Sequence, residues 1–431
     1  MAAPPLADAL NAFGESLFKA LQTQVPPPPT GVFLSPLCIA QCLALVLTGA
    51  QPEGKSARQL LSIVYGRRGG AGAAAIEQLN SQLSHMLASL MAAGSGGAGM
   101  PGAVPSVSSG SSIWVAPRWS LQAAYHEAVA RHFGAQAEPL TTADAINGWV
   151  SAATRGKITQ AVTEDMLRDP SLASVLASVL YFKGEWQSEF DRQVGTQTNL
   201  TRPAAFHHLT EQPGGASVGH VAMMHRQFDR TGDTIQMPYK GREFAAVAAM
   251  PEGGLHAASP GSPLRLASGV PYAAALAACR GALLGGSLTC MEAYDIRLWL
   301  PRFELECEVR LKAVLKAMGV AAPFAEGPGA DLTRLATGPH RMYISQLLHK
   351  VYVKTDEQGT EAAAVAVALA SFGCAAPQHF LDIRFDRPFA FGVVHRASGA
   401  ALFVGEVLQP EAAAAPAAPS QQSPFGSGWH W

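Results

Sequence analysis

Residues 355–373, TDEQGTEAAAVAVALASFG, place a run of very small side chains between an acidic lead-in and an isolated phenylalanine. Alanine is the best helix former, so propensity alone reads the run as helix. Its flanks argue otherwise. LHKVYVKTDE (348–357) alternates apolar and polar residues in strand fashion, and FLDIRFDRPFAFGVV (380–394) is rich in β-branched and aromatic residues. The run therefore joins two sheet segments, and no helical stripe in it needs a core.

The chain has 431 residues, 48% of them hydrophobic and only 15% charged, so it has the means to bury a substantial core. A net charge of −1 gives no reason to expect nucleic acid or an anionic membrane as partner. The amino end, MAAPPLADALNAFGESLFKAL, lacks a basic region followed by an apolar core, which reads as no signal peptide and a cytoplasmic protein. No uninterrupted apolar stretch reaches the length of a membrane span. Cys38, Cys42, Cys279, Cys290, Cys307 and Cys374 form no close-spaced framework and read as reduced thiols.

Helical periodicity over residues 6–22 is followed by a proline break, then by VFLSPLCIAQCLALVLTGA (32–50), a short strand and an almost wholly apolar helix. AAIEQLNSQLSHMLASLMAA (74–93) gives a further helix. Residues 94–110, GSGGAGMPGAVPSVSSG, have linker composition and are expected to form a flexible surface loop. From Ser178 strands dominate, in SVLYFKGEW, TIQMPYK, FAAVAAMP and IRLWLPRFELE. Residues 411–431 are low-complexity and read as a disordered tail. Helices come first and a β-rich half comes after them without βαβ rhythm, which makes residues 1–410 one α+β domain.

Positive signs of enzymatic chemistry are missing. There is no CxxC pair or HExxH, and the adjacent His207 and His208 do not complete a metal site, so no cofactor or metal is expected. Ser35 and His349 both lie in apolar surroundings; a buried Ser–His hydrogen bond is the favoured reading over a hydrolytic pair.

Several separated stretches carry a resemblance when taken together. VFLSPLCIAQCLALVLTGA, INGWVSAATRGKI (146–158), LYFKGEWQSEFD (180–191), LHKVYVKTDEQGTEAAA (348–364) and FDRPFAFGVV with GAALFVGEVLQP (385–410) resemble serpin signatures, in serpin order, over roughly Leu6 to Pro410. The likeness is to an intracellular-type serpin, a serine protease inhibitor. It implies three β-sheets with about nine helices and an exposed reactive loop at residues 359–383. The implied activity is suicide-substrate inhibition: a protease cuts the loop, and the cut loop inserts as an extra strand of the main sheet before the acyl-enzyme is hydrolysed. The alternative is a non-inhibitory serpin acting as a binding or chaperone-like protein.

The residues agree with insertion. Successive strand residues face opposite ways. Thr360, Ala362, Ala364, Ala366, Ala368 and Ala370 would form one face, small enough to enter a packed core, while Glu361, Ala363, Val365, Val367, Leu369 and Ser371 would form the other. The resemblance makes Glu357, Gly359, Thr360, Ala362, Ala363, Ala364, Val365 and Ala366 the loop hinge. It pairs Glu357 with Arg302, sets Trp186 over the entry region, and puts Ser35, Ser178 and His349 in a buried cluster beneath the sheet's opening. Ser178 stands where the family usually has Asn, and Cys38 where it usually has Ser.

Counting the inhibitory spacing from Glu357 puts the reactive bond between Gly373 and Cys374; the runner-up lies between Phe372 and Gly373, because a large apolar side chain fills a protease pocket. No Lys or Arg occurs between Thr360 and Ile383, which argues against trypsin-like targets. Chymotrypsin-, elastase- or subtilisin-like enzymes, or a papain-like cysteine protease, are the expected partners of a monomer. Residues 69–117 contain no Lys or Arg either, so no heparin-binding face is expected.

Overall fold

A computed structural model describes residues 5–24, 30–67, 72–93, 105–187, 193–194, 197–198, 202–207, 218–231, 235–251, 265–266, 268, 270–284, 294–360 and 381–410. Among these residues are nine α-helices, a six-stranded, a five-stranded and a four-stranded sheet, and two short two-stranded pairs.

The helix Pro36–Gly49 is buried along all its length. Its sequence is apolar on every face apart from Gln41 and Thr48, as suits a helix enclosed on every side. Ser35 starts it, accepting the Cys38 N–H on its hydroxyl, and Pro36 takes the first helical position, where a missing N–H costs nothing. An aromatic cluster supports one side of this core: Phe33 packs against Phe303, Phe391 and Phe403 at centroid distances of 6.2–6.4 Å.

The six-stranded sheet contains, in chain order, β1 (Ser106–Val115), β2 (Gln136–Pro139), β3 (Ser174–Glu185), β4 (Phe303–Arg310), β5 (Gln346–Thr355) and β6 (Gly359–Thr360). Its spatial order is β4-β5-β6-β3-β1-β2. β3 is buried on both faces except at Lys183, so it sits at the centre. β4 alternates buried and exposed residues as an edge strand with one wet face does. β3 and β5 run parallel and pair directly from Val175 opposite Gln346 to Leu180 opposite Val351. Above that point they part, and β6 lies between them, Thr360 facing Gly184 on one side and Thr355 on the other.

The stretch 154–163 crosses this β3–β5 seam on the outer face of the sheet. Val150, Ile158 and Ala161 pack on Val179 of β3, with Tyr352 of β5 against the same cluster. Arg155 lies over the Tyr181 ring of β3 at 4.9 Å and Lys157 over the Tyr352 ring of β5 at 5.4 Å. Lys350 of β5 donates to the Gln160 carbonyl. The strap is thus tied to both sides of the seam.

Four details differ from the sequence reading. Residues 106–110, expected in a flexible loop, are the first half of β1: their serines and glycine pair with Val179–Lys183, and backbone hydrogen bonds to a buried strand outweigh a linker-like composition. Residues 94–104 lie outside the described residues, as do 411–431. IRLWLPRFELE reads as one strand but divides at Arg302: Tyr294–Pro301 belongs to the four-stranded sheet and Phe303–Arg310 to the six-stranded one. The reactive loop is expected from the sequence to leave the surface at Gly359, yet Gly359 and Thr360 are buried in the sheet as β6. At its far end, Leu381–Arg384 is already a strand, parallel to Ile296–Trp299.

Asn147 fixes the strap by accepting the Ala161 and Val162 N–H groups on Oδ1, at 2.7 and 3.0 Å, and donating to the Val162 carbonyl. Asn147→Ala strands these part-buried backbone groups, each at about 1–3 kcal/mol if water does not replace the side chain. The expected loss of native stability is about 2–4 kcal/mol, read as a lower urea midpoint with an unchanged slope.

Candidate functional site: the seam and its entrance

Two groups of side chains lie along the β3–β5 seam, one at mid-height and one at its top. At mid-height His349 of β5 is fully enclosed. The Ser35 N–H donates to its Nε2 at 2.9 Å, so the proton of the neutral ring sits on Nδ1 and is donated to Ser178 Oγ, also at 2.9 Å. Ser178 lies directly across the seam from His349. The cluster therefore links β3, β5 and the helix-capping Ser35 in one chain of hydrogen bonds. Ser178 makes its part of the link through one short hydroxyl. Cys38 donates its backbone N–H to Ser35 Oγ at 3.1 Å, and burial pushes its thiol up to about 12, so it stays a neutral, inert group. The Ser35–His349 contact runs through a backbone N–H, and the Ser35 hydroxyl is used as a helix cap, an arrangement unsuited to nucleophilic attack.

At the top, Glu357 is paired with Arg302, whose Nε donates to Glu357 Oε1 at 2.8 Å. The Glu357 side chain is only 12% exposed, so this pair is better shielded than an ordinary surface one. Trp186 donates from Nε1 to the Asp356 carbonyl at 2.9 Å and from its backbone N–H to the Gln358 carbonyl at 2.8 Å. Asp356 Oδ1 accepts the N–H of Gln358 and of Gly359, at 2.9 and 3.3 Å. Those contacts bend the chain back on itself and aim residue 359 into the gap between β5 and β3. Burial raises the Asp356 carboxyl above the ordinary carboxylate range, and the two backbone donors partly offset this. Gly359 has to be glycine here, since a Cβ would overlap the Gly184 carbonyl and the Glu185 backbone.

Ser35, Ser178 and His349 are thus brought together at mid-height, and Trp186, Arg302, Glu357, Gly359 and Thr360 at the top. Ala362, Ala363, Ala364, Val365, Ala366, Phe372, Gly373 and Cys374 lie outside the described residues. Sequence reasoning missed Gly184, Tyr239 and the Glu185–Lys240 pair at 2.7 Å. Tyr239 and Lys240 end TIQMPYK, which signals a strand by its pattern but gives no sign that its last residues turn back over the seam.

Among the described residues no group of three or more His, Cys, Asp or Glu is placed to hold a metal ion, and no helix is long and apolar enough to cross a membrane.

Residues 8–410 match the family model described as serpin, serine protease inhibitor. Leukocyte elastase inhibitor A of Mus musculus is 27% identical over 94% of the chain and 99% of its own length. Among solved structures, the native state of the thermophilic serpin tengpin superposes with a TM-score of 0.72 at 19% identity, covering 94% of each chain. Human thyroxine-binding globulin, complexed with thyroxine, gives the same TM-score and identity over 94% of this chain and 98% of its own. At such identities the structural likeness establishes the fold alone.

The burial of His349 predicts a stability that falls in acid. Burial holds the His349 imidazolium down to about 3, against 6.5 for an unperturbed histidine. A histidine depressed in the folded state contributes fully above pH 6.5 and progressively less as pH falls toward 3, at up to about 1.4 kcal/mol per pH unit. The urea midpoint should therefore drop between pH 6.5 and pH 5, and His349→Gln should flatten that slope. The remainder reflects other titrating groups, including His395, whose imidazolium burial also disfavours. An identical slope in the variant would refute the assignment.

Proposed function

The chain belongs to the serpin family, and on that premise we propose that it inhibits serine or cysteine endopeptidases as a suicide substrate. One observation supports this most: Gly359 and Thr360 already lie between β5 and β3, with Thr360 1% exposed. The strand that a cut loop would add begins at this place.

In the proposed mechanism the protease nucleophile, a serine Oγ or cysteine Sγ, attacks the carbonyl carbon of Gly373 or Phe372. The peptide C–N bond breaks, the new amine leaves on the carboxyl-terminal side, and the protease stays joined to the loop as an acyl-enzyme. Fourteen residues from Thr360 to Gly373 span roughly 45 Å when extended. A chain of this length has a radius of gyration of about 22 Å, so the inserted strand carries the protease across most of the molecule. About ten new backbone hydrogen bonds, at about 1 kcal/mol each, release on the order of 10 kcal/mol before packing. The small even-numbered face, Thr360 and the alanines from 362 to 370, is what allows entry without overpacking. In this reading the protein is a consumed inhibitor with no turnover of its own, needs no cofactor, and acts as a monomer. Buried Cys38, Cys42 and Cys307 thiols suit a reducing, cytoplasmic setting.

Incubation with chymotrypsin, elastase, subtilisin and a papain-like enzyme tests the proposal. An SDS-stable complex with at least one is expected. Mass spectrometry of the released fragment then locates the bond: a fragment starting at Cys374 places it after Gly373, and one starting at Gly373 places it after Phe372. Clipped product alone with every protease would favour a binding role over inhibition.

A further inference from the structure

Tyr239 is completely buried, with its ring stacked on Trp186 at 4.7 Å and edge-on to Phe182 at 4.9 Å. Its hydroxyl lies 2.6 Å from Thr360 Oγ1, and among the described residues Thr360 is its hydrogen-bond partner. The ring reaches that position because β3 has a glycine there: a Cβ on Gly184 would come 2.7 Å from the Tyr239 ring. Gly184 is also the residue directly opposite Thr360. A glycine on one strand thus opens a slot through which a buried phenol meets the first side chain of the next.

The residues after Thr360 give this contact its importance. A one-residue slip of an inserting strand would turn Glu361, Val365, Val367 and Leu369 inward, and a buried carboxylate with three larger side chains forbids it. A two-residue slip is different. The even-numbered positions from 362 to 370 are all alanine, so shifting by two exchanges one methyl for another and costs almost nothing in packing. Thr360 is the one residue between 360 and 370 that puts a polar group on that face. A shift by two would set Ala362 against Tyr239 and leave a buried phenol without a partner.

We infer that Tyr239 is a positioning residue for loop insertion: it receives the Thr360 hydroxyl and so sets the register of the strand that an alanine run cannot set by itself. This rests on the inhibitory reading above, although the docking contact can be measured without any protease.

The test uses the full chain and the variants Tyr239→Phe, Thr360→Val, the double variant and Thr360→Ser. Phe keeps the ring in its stack, Val keeps the shape of Thr, and Ser restores the hydroxyl. In uncut protein, amide exchange at residues 359–360 and at Gly184–Glu185 should rise about five- to tenfold in each of the first two, the worth of one buried hydrogen bond. The double variant should match Thr360→Val, which also removes the 3.4 Å contact of the Thr360 hydroxyl with Thr355 Oγ1, and Thr360→Ser should match the wild type. With a protease that the wild type traps, the clipped fraction should rise in the same three variants and not in Thr360→Ser. Unchanged exchange in Tyr239→Phe, or single effects that multiply in the double variant, would overturn the inference. A wild type clipped by every protease would instead overturn the inhibitory reading and leave the exchange result to decide the docking contact. Should Tyr239→Phe fail to fold, Thr360→Val against Thr360→Ser decides: equal exchange in the two contradicts the role of the hydroxyl.

Discussion

The molecule depends on the seam between two parallel strands that are neighbours only in part. β3 and β5 are hydrogen-bonded from Val175 and Gln346 to Leu180 and Val351, then separate, and four positions further up Thr360 lies between Gly184 and Thr355. Two parallel strands side by side, each with further strands beyond it, make a complete sheet; the same two strands spread by one strand spacing, about 4.8 Å, make a sheet with a place for another. Everything around the seam bears on which of these arrangements holds. His349 ties its mid-height to Ser35 and Ser178. The strap of residues 154–163 spans it on the outer face, through Val179 on one side and Tyr352 and Lys350 on the other. Arg302, Glu357, Trp186 and Asp356 hold the chain at its entrance.

These contacts are individually small. A hydrogen bond such as His349–Ser178 contributes about 1 kcal/mol net, and the cation–π contact of Lys157 with Tyr352 about as much. Opening the seam breaks several of them at once, before any new strand has formed. In the proposed insertion, that makes a barrier from contacts that give way together, while a final state with a full-length added strand would gain on the order of 10 kcal/mol in backbone hydrogen bonds. Metastability of this kind needs no strained bond. It needs a seam that closes well enough to hold and a segment of the same chain shaped to replace it.

Much of this is legible in the sequence, for identifiable reasons. The α+β class comes from helix periodicity in the amino-terminal part and alternation after Ser178. The central helix comes from Ser35-Pro36 and the almost wholly apolar run behind it. The sheet entrance is harder. Trp186, Arg302 and Glu357 can be named only through the family likeness, because partners 55 and 170 positions apart carry no local pattern that joins them. Residues 106–110 of β1 mislead because serine and glycine suit a linker as well as a strand whose hydrogen bonds are satisfied by Lys183 to Val179. Tyr239 stays hidden for a related reason. Its importance lies in a slot made by Gly184, on a strand remote in sequence, and in a threonine that pairing alone brings to it.

The central claim is that the native sheet holds back a more stable, loop-inserted form. The most direct measurement is the thermal midpoint before and after a single confirmed cut in the loop between residues 370 and 377. Insertion adds a strand to the folded state and leaves the unfolded chain nearly as it was, so the midpoint should rise by about 10 °C or more for on the order of 10 kcal/mol gained. A cut chain that melts where the intact chain melts would contradict the account.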